Sequence, residues 1–546
     1  MDKTKKKIFC KRTLYIMCFL VLNIIELLRN GSSGNIWLVA NNCIGIVMMF
    51  IVFSGYKINN FITVSNAIWS GLCFLFMVIL PFHWKNHIGE YLLWQVETAV
   101  INVWWIFIIM KHQLYLIFIK KSLKIHFNTS AIMWSAMLLL MFFSVNQNKI
   151  WPLWFLFMFL AFYLTQYAKE DREVLWNSML DGNIIGFFIL QIYAYGLRPY
   201  DQLRYRGYAE NCNMAALYYL IIYVMCLCKL HQLHMNEAKM RHKIFYIIGA
   251  GGMLSFQFLT MGRTAWIMSV IVTILYGIIV VKKLWNKKWK QVICSGIIIV
   301  AAMVITFLPV FYSCRWLPTL SPGRVWYAGE YNDETLIHRE DPPDSEKYTE
   351  LDEFLESVFG RIAMTIKRAD AINPFVLKVY AAEERERVEL LEPEWLTDQG
   401  LRIRLTIYKT YLRDMTWNGH DASEGYYYIG DSDYFSWHGH NLWIHIAYYY
   451  GIPVGILLIM LTIVLLIFDL KKIFQYQEKW YSIVPFFICV IFFGYGLMEA
   501  VWYVGQLILF MVFFVHLPIL KEKTIEMKDE EINCEAKNEF LKNTCK

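Results

Sequence analysis

Long apolar segments alternate with short polar ones along most of the chain, a pattern that predicts a protein crossing a membrane many times. A transmembrane helix needs about 20 apolar residues. Fourteen segments of roughly this kind can be delimited, near 13–29, 36–54, 61–83, 91–110, 130–145, 150–168, 175–197, 211–229, 244–260, 264–281, 291–312, 441–468, 481–499 and 501–520. The fifth is short and could form one broken hairpin with the sixth, so the expected count is 12 to 14.

Two polar stretches interrupt this pattern and divide the chain into four parts. A membrane domain of about eleven spans covers 1–312, and a polar segment covers 313–439. Three further spans lie in 440–520, and the charged tail 521–546 is expected to be disordered. Within the polar segment, stretches near 345–371 and 396–415 have a helical pattern. The predicted fold is therefore an all-α polytopic membrane protein with one large loop domain before its last three helices.

The distribution of charge predicts the topology. Segment 313–439 contains 14 Lys/Arg and 24 Asp/Glu, a net charge of −10, whereas the whole chain carries +7. Basic loops are typical of the cytoplasmic side of a membrane. With a cytoplasmic N-terminus, the basic clusters all fall on that side; they lie at 111–124, 229–243, 282–290 and 471–472. The sequence thus predicts cytoplasmic termini, an extracytoplasmic loop and no nucleic-acid partner.

The cysteines predict neither disulfides nor a metal site. The chain has 12, and most of them lie inside apolar runs. Cys226 and Cys228 are too close together for zinc-finger spacing. We therefore expect small buried side chains at these positions, with no bound metal and no cofactor.

Four acidic residues lie within the predicted spans. Such residues are costly in lipid and must face protein or a water-filled cavity. A transporter or a membrane enzyme would both contain them, so they indicate no specific role; they are Glu26, Glu97, Asp181 and Glu499.

The segment 437–443 places two histidines and an asparagine where the polar loop meets the next apolar run. His440 is the candidate general base, because imidazole transfers protons near neutral pH. Asn441 is expected to orient or cap the following helix, and His438 is a candidate supporting residue. Gly439 is expected to hold the two rings apart on an extended chain. The alternative is a polar helix start whose histidines are incidental.

Arginines recur on the predicted outer side, against the charge bias. They lie in the loop 198–213, in the tight turn 260–264 and in the interleaved segment 402–409. Guanidinium groups match phosphate oxygens in a bidentate geometry, so an anionic phosphate at the membrane surface would explain them. Salt bridges to the acidic loop, or side chains reaching lipid headgroups, are the alternatives.

These motifs, in this order, resemble the O-antigen ligase and Wzy-type polymerase superfamily of bacterial envelopes. The resemblance lies in an arginine-bearing loop ending in Gly-x-x-x-Asn-x-Asn, a Gly-Arg turn, Arg-x-x-x-Tyr, and His-Asn followed by Gly-Ile-Pro-Val-Gly. The corresponding stretches are 204–213, 260–266, 404–419 and 438–455. Two features depart from the family pattern: Gly262 stands where serine is usual, and the expected spans exceed the usual twelve.

The resemblance implies a metal-independent GT-C-type glycosyltransferase in the bacterial cytoplasmic membrane. Its donor would be an undecaprenyl-pyrophosphate-linked oligosaccharide, and chain-length regulators and flippases would be its protein partners. By motif position, His440 corresponds to the catalytic histidine. The pyrophosphate would be bound by Arg206, Arg263 and Arg404, with the register against Arg204 and Arg402 left open.

The acceptor distinguishes the two activities of this superfamily. A polymerase transfers the glycan to another lipid-linked repeat unit, and a ligase transfers it to lipid A-core. The looser match to the motifs favours a polymerase, with the ligase as the alternative. A multi-spanning transporter or flippase is a third candidate, although it has no need for a large outer domain ending in His-x-His-Asn.

Overall fold

The computed structural model of the 546-residue chain is mostly helical. It describes residues 3–28, 35–53, 61–121, 129–163, 169–196, 200–201, 204–209, 211–284, 289–320, 351–369, 387–388, 399–421, 424–425, 427–429, 435–436, 438–476, 479–501 and 507–516. The expected tail 521–546, most of the loop 313–350 and Trp437 lie outside these residues.

Sixteen α-helices are numbered in chain order over the described residues. They are α1 Lys3–Leu28, α2 Asn35–Phe53, α3 Val64–Leu114, α4 Thr129–Phe143, α5 Ile150–Tyr163, α6 Lys169–Tyr195, α7 Cys212–Met235, α8 Met240–Thr260, α9 Arg263–Leu284, α10 Trp289–Trp316, α11 Leu351–Ala369, α12 Gln399–Arg413, α13 Leu442–Tyr450, α14 Ile452–Gln475, α15 Val484–Gly496 and α16 Leu507–Val515. A π-helical turn, Tyr115–Ile119, extends α3, and short 3₁₀ turns follow α10 and precede α15, at Leu317–Leu320 and Trp480–Ile483.

Several of these helices are long and apolar enough to cross a membrane. Within the described residues there are six, namely Val96–Ile119, Cys212–Met235, Met240–Thr260, Arg263–Val280, Gly296–Trp316 and Ile452–Gln475. On α9 the exposed side chains Ile267, Val270, Ile271 and Ile274 follow helical spacing and form one apolar stripe. An exposed apolar stripe of this kind on a long helix suits contact with lipid, and the protein is membrane-embedded.

The predicted spans 61–83 and 91–110 both lie within α3, which is helical from Val64 to Leu114. Its two ends pack against each other: Trp104 Nε1 donates to Ser70 Oγ at 2.9 Å, and Lys111 Nζ donates to Asn66 Oδ1 at 2.8 Å. A straight helix, at 1.5 Å per residue, would hold each of these pairs about 50 Å or more apart. The chain therefore reverses direction between the two predicted spans, which lie side by side.

The polar segment contains two helices and a small sheet. The predicted stretches 345–371 and 396–415 correspond to α11 and α12. Phe354 of α11 packs against Phe307 and Phe311, which places α11 on the end of α10. The strand β3 (Arg387–Val388) pairs in parallel with β4 (Tyr427–Ile429), and β4 pairs antiparallel with β5 (Phe435–Ser436). An earlier two-stranded hairpin joins β1 (Tyr200–Asp201) to β2 (Arg204–Tyr205). The described strands thus form a two-stranded sheet in the order β1-β2 and a three-stranded sheet in the order β3-β4-β5.

The predicted span 441–468 is broken into α13 and α14. Gly451 between them has φ +102°, a backbone conformation that favours glycine. A Cβ there would lie 2.2 Å from the carbonyl oxygen of Trp417. Gly419, at φ +82°, packs equally closely against the carbonyl of Tyr449. The two glycines let the loop after α12 pack, backbone against backbone, on the break between α13 and α14, and this contact forms an interlock. Within it, Ile452 N donates to Thr416 O at 3.1 Å.

The same loop contacts the connection between α4 and α5. Val145 N donates to Asn418 O at 2.9 Å, and Gln147 N donates to the side chain of Asp421 at 3.2 Å. This loop therefore touches both the N-terminal and the C-terminal membrane helices. At the centre of the bundle α7 is almost wholly buried, packed between α6, α8, α9 and α15.

Candidate functional site

Glu499 lies at the centre of a polar cluster at one end of the helical bundle. It follows the last residue of α15 by three positions, and 5% of its surface is exposed. Its Oε1 accepts hydrogen bonds from Arg404 Nη2 at 2.7 Å and from Asn213 Nδ2 at 2.8 Å. Its Oε2 lies 3.4 Å from His440 Nδ1. Side chains from α7, from α12 and from the residues flanking α13 and α15 therefore meet at one carboxylate.

The electrostatics of this cluster keep Glu499 ionised. Burial raises its pKa, but the hydrogen bond with His440 and the charge of Arg404 outweigh that effect, and the pKa falls below its ordinary value of 4.5. At neutral pH Glu499 is thus a carboxylate, which can only accept hydrogen bonds. The facing Nδ1 of His440 consequently carries the proton, and in the neutral ring Nε2 holds the lone pair. A carboxylate fixes the tautomer of a catalytic histidine in this way in hydrolytic triads.

The backbone around His440 is tightly constrained. His440 has φ +43°, in the left-handed region. Tyr408 Oη lies 2.9 Å from the carbonyl oxygen of His440 and 3.1 Å from that of Leu497, both within donating distance. Asn441 accepts from the backbone N–H groups of Trp443 and Ile444, and so caps α13 as predicted. The position of the imidazole is therefore fixed both by the constrained backbone of His440 and by the side chain of Glu499.

His438 lies beside His440, which corrects the expectation that the two rings are held apart. Their ring centroids are 3.8 Å apart, because the left-handed residue turns the chain back on itself. The His440 N–H donates to His438 Nδ1 at 3.2 Å. Burial, and after it the neighbouring His440 and other basic groups, lower the pKa of His438 to about 2. His438 is neutral at physiological pH and helps to position the backbone of His440.

Arg204 joins the cluster through Asn213. Its Nη2 donates to Asn213 Oδ1 at 2.9 Å, and its Nε donates to Thr260 O at 2.9 Å. Asn213 is the second residue of α7, whose first turn is capped by the side chain of Asn211. The amide of Asn213 therefore bridges Arg204 and Glu499, with its oxygen facing the arginine and its nitrogen facing the carboxylate.

Arg263 is the first residue of α9, and its guanidinium lies within electrostatic range of that of Arg404. The turn before it is formed by Met261, which takes φ +50°. Gly262 is required for a different reason: a Cβ there would lie 2.8 Å from that of Ala216 on α7. The glycine that departs from the family pattern thus lets the turn pack closely against α7.

The remaining predicted site residues lie around this cluster. Arg206 is buried, and its carbonyl accepts from Ala209 N at 3.0 Å. Arg204 is connected with Glu499 through Asn213, and the choice between Arg204 and Arg206 as the phosphate ligand stays open. On α12, Arg404 contacts Glu499 directly, while Arg402 is partly buried two residues earlier and its carbonyl accepts from Thr406 at 2.8 Å. The structure brings together Arg204, Arg404 and His440, with Arg263 nearby.

An apolar cavity of about 580 Å³ opens between α8, α9 and α10. Arg263 and Trp266 lie at the end closest to the Glu499 cluster, and Ile274 lies about 16 Å farther along α9 by helical rise. Gln257 and Ser269 are polar residues in its wall and are hydrogen-bonded to each other at 2.6 Å. The shape combines an extended apolar cavity with a positive charge at its mouth.

Sequence reasoning missed two residues at the centre of the site. From the sequence, Glu499 is only a costly acid inside a predicted span, and Asn213 is only part of a motif. An intramembrane acid is a functional candidate by default, but its partners come from helices that are hundreds of residues apart in sequence. Among the described residues, Asp469, Cys489 and His516 form a separate group of potential metal ligands on the last three helices.

Comparison of the chain with protein-family models, with curated proteins and with solved structures finds no match.

Proposed function

We propose that this protein is an extracytoplasmic polymerase of undecaprenyl-pyrophosphate-linked oligosaccharide repeat units. The supporting observation is the cluster in which Glu499 joins two arginines and His440 beside a third arginine at the mouth of an apolar cavity. Positive charge suits the pyrophosphate, the cavity suits a prenyl chain, and imidazole suits deprotonation of a sugar hydroxyl.

The positive charge gathered at the cluster favours an anionic ligand. Arg204, Arg263 and Arg404 bring three guanidinium groups to the surroundings of the Glu499 carboxylate. Guanidinium groups bind phosphate oxygens in bidentate pairs. Fixed positive groups at the leaving group stabilise the negative charge that develops as its bond to the sugar breaks. These arginines would thus act on the pyrophosphate of the donor.

His440 would act on the acceptor. Its Nε2 takes the proton of an acceptor sugar hydroxyl while that oxygen forms a bond to the anomeric carbon of the donor. The bond between the anomeric carbon and the phosphate oxygen breaks, and undecaprenyl pyrophosphate leaves with the electron pair. The proton then passes from His440 to water. Because one displacement takes place, the configuration at the anomeric carbon is inverted.

The cavity beside Arg263 fits the lipid part of such a donor. Its wall is formed by apolar side chains of α9 and α10, including Ile274, Ile299 and Val300. A prenyl chain lying along this wall would bring its phosphate to the N-terminal end of α9. The backbone N–H groups and the dipole at that helix end also favour an anion.

The test is the fate of repeat units in bacterial cells that lack the gene and are complemented by variants. For His440→Ala we expect single repeat units to accumulate on undecaprenyl pyrophosphate outside the membrane, with polymerisation slowed by ~10²–10⁴-fold. The control is His242→Ala, whose side chain is exposed at the start of α8. It should give glycans of normal length at the same expression level.

The same measurement distinguishes the other activities. Full-length polymer that remains on undecaprenyl pyrophosphate would indicate a ligase, and lipid-linked units trapped on the cytoplasmic face would indicate a flippase. Either result would reject the polymerase. Normal glycans from His440→Ala would remove the catalytic assignment of this histidine.

The pyrophosphate assignment is tested by Arg263→Lys, which keeps the charge but loses the bidentate geometry. Loss of one hydrogen bond to a charged group corresponds to about ten- to hundredfold in rate. Arg241→Lys on the exposed start of α8 is the matched control and should leave the rate unchanged. Equal rates from the two variants would argue against a phosphate at Arg263.

A further inference from the structure

Three side chains that are typical metal ligands meet on the last three helices, away from the Glu499 cluster. Asp469 is on α14, Cys489 is on α15 and His516 directly follows α16. His516 Nε2 lies 3.1 Å from Asp469 Oδ2 and 3.6 Å from Cys489 Sγ. The thiol also interacts with the carboxylate, so the three groups form a closed triangle whose ligand atoms lie within 4.8 Å of one another.

All three side chains are buried. Asp469 and Cys489 have no exposed surface, and 1% of His516 is exposed. A carboxylate taken out of water is costly unless it is paired or coordinates a metal. Asp469 Oδ1 is buried and has no hydrogen-bond partner within the described part of the chain. His516 therefore pairs with Oδ2 of this carboxylate, and the burial of Oδ1 is left without a compensating contact among the described residues.

The histidine has the orientation of a metal ligand. Its Nδ1 lies 2.5 Å from Val512 O. A carbonyl only accepts, so Nδ1 carries the proton, and in the neutral ring Nε2 holds a lone pair that points at the other two groups. Metal-binding histidines are commonly fixed by a hydrogen bond from their second nitrogen to a carbonyl or carboxylate.

The distances also agree with tetrahedral coordination. Bond lengths of about 2.0 Å from zinc to nitrogen or oxygen and about 2.3 Å to sulfur give ligand separations of about 3.3 Å for nitrogen and oxygen and about 3.6 Å for nitrogen and sulfur. The observed separations are 3.1 Å and 3.6 Å. An Asp–His ion pair and a thiol hydrogen bond to His516 would explain both distances, but they leave the remaining oxygen of Asp469 without a partner among the described residues.

We propose that Asp469, Cys489 and His516 bind one zinc-type divalent cation. A carboxylate and a thiolate balance the two positive charges of the ion, so the buried site is neutral when His516 is neutral. Ile452, the first residue of α14, lies at the break that follows α13, and Asp469 is about 25 Å farther along the helix. The ion would therefore join α14, α15 and α16 at a distance from the arginines and His440, and this site does not depend on the proposed glycan transfer.

The test uses the full-length chain purified in detergent from cells supplied with zinc. Elemental analysis should give about one zinc per chain, and X-ray absorption at the zinc edge should give one sulfur ligand among nitrogen and oxygen ligands. This measurement needs no variant. A folded protein without zinc, or zinc bound without sulfur or by several sulfurs, would overturn the proposal.

Two substitutions then assign the ligands. Cys489→Ser and His516→Ala should each lose most of the zinc, and Cys489→Ser should also lose the thiolate-to-metal absorption band of the cobalt-substituted protein. The control is Cys226→Ser, another buried cysteine on α7 outside the triangle, which should keep the metal and the band. Retention of the metal by both ligand variants would assign it to other residues and refute the proposed site.

Discussion

At the residue scale, Glu499 shows how a single carboxylate can organise side chains from distant parts of the chain. It is ionised, buried and held by Arg404, Asn213 and His440. Its role would be positioning: it holds the tautomer of His440 and fixes the guanidinium of Arg404 without contacting the donor itself. A residue of this kind affects the rate through the groups it holds.

Glu499→Gln should therefore impair activity even though it preserves the shape of the side chain. The amide can still accept from Asn213 and Arg404, but it removes the negative charge that stabilises a protonated His440. We expect a loss within the ~10²–10⁴-fold range of general-base catalysis. The measurement is the rate of glycan extension at several pH values, with protein level matched by immunoblotting. Wild-type activity at neutral pH would contradict the positioning role.

The lowered pKa of Glu499 also predicts how stability depends on pH. A depressed carboxyl pKa contributes stability above its ordinary value of 4.5, and this contribution is lost as the pH falls through the lower native value. Wild-type protein in detergent should thus unfold at a higher temperature than Glu499→Gln at pH 7. The difference should shrink below pH 4.5, and a difference that is independent of pH would reject this explanation.

The residues nominated from sequence were those with local signals. Asn441 was assigned as a cap because a polar side chain preceded an apolar run, and His440 and Arg404 were nominated by residue type and motif. Glu499 and Asn213 gave no such signal, since their importance lies in pairing across distant helices. The order of Arg204 and Arg206 depends on which way each side chain leaves a short hairpin, and spacing alone does not determine it.

At the element scale, the interlock between Gly419 and Gly451 is the feature on which the position of α13 depends. Gly451→Ala would put a Cβ against the carbonyl of Trp417 and force alanine into φ +102°. Strain of this kind costs about 1–3 kcal/mol, and the steric clash adds to it. We expect a lower unfolding temperature and a loss of activity, measured by thermal unfolding in detergent.

Gly252→Ala provides the matched control for that substitution. A Cβ at Gly252, inside α8, has open space around it, and alanine is the better helix former. Its unfolding temperature should equal or exceed that of the wild type. If both glycine variants unfolded at the wild-type temperature, the interlock would have no role in stability.

Elements are predictable where the hydrophobic pattern marks them and less so where a single backbone feature decides. The helices α11 and α12 follow from their periodicity, and the polar segment between the predicted spans 61–83 and 91–110 correctly indicates a reversal of the chain. The apolar run 441–468 conceals the break at Gly451, because an apolar segment can turn at glycine without any change in composition.

At the scale of the whole molecule, the orientation in the membrane remains a prediction of the charge pattern. We expect α11 to lie outside and the end of α14 to lie inside. Cysteines introduced one at a time at the exposed positions Asp352 and Lys471 would test this in a chain whose exposed Cys294 is replaced by serine, together with Cys10, Cys534 and Cys545 near the termini. A membrane-impermeant thiol reagent should label position 352 in intact cells and position 471 only after permeabilisation.

The opposite labelling pattern would place the arginines and His440 on the cytoplasmic side and reject the proposed reaction. Labelling of both positions in intact cells would indicate that α14 does not span the membrane. Buried Cys226 and Cys314 should remain unlabelled in every case and serve as internal controls.

The left-handed backbone of His440 has a consequence for how this protein can evolve. Few residues adopt φ +43° at low cost: glycine does so readily, and asparagine, aspartate and histidine do so more often than others. Under the proposed reaction this position would be selected twice, once for a proton acceptor and once for a backbone that closes the turn. In homologues that keep the fold but lose the reaction, we expect Asn, Asp or Gly at this position. A β-branched residue there would indicate that the turn is lost as well.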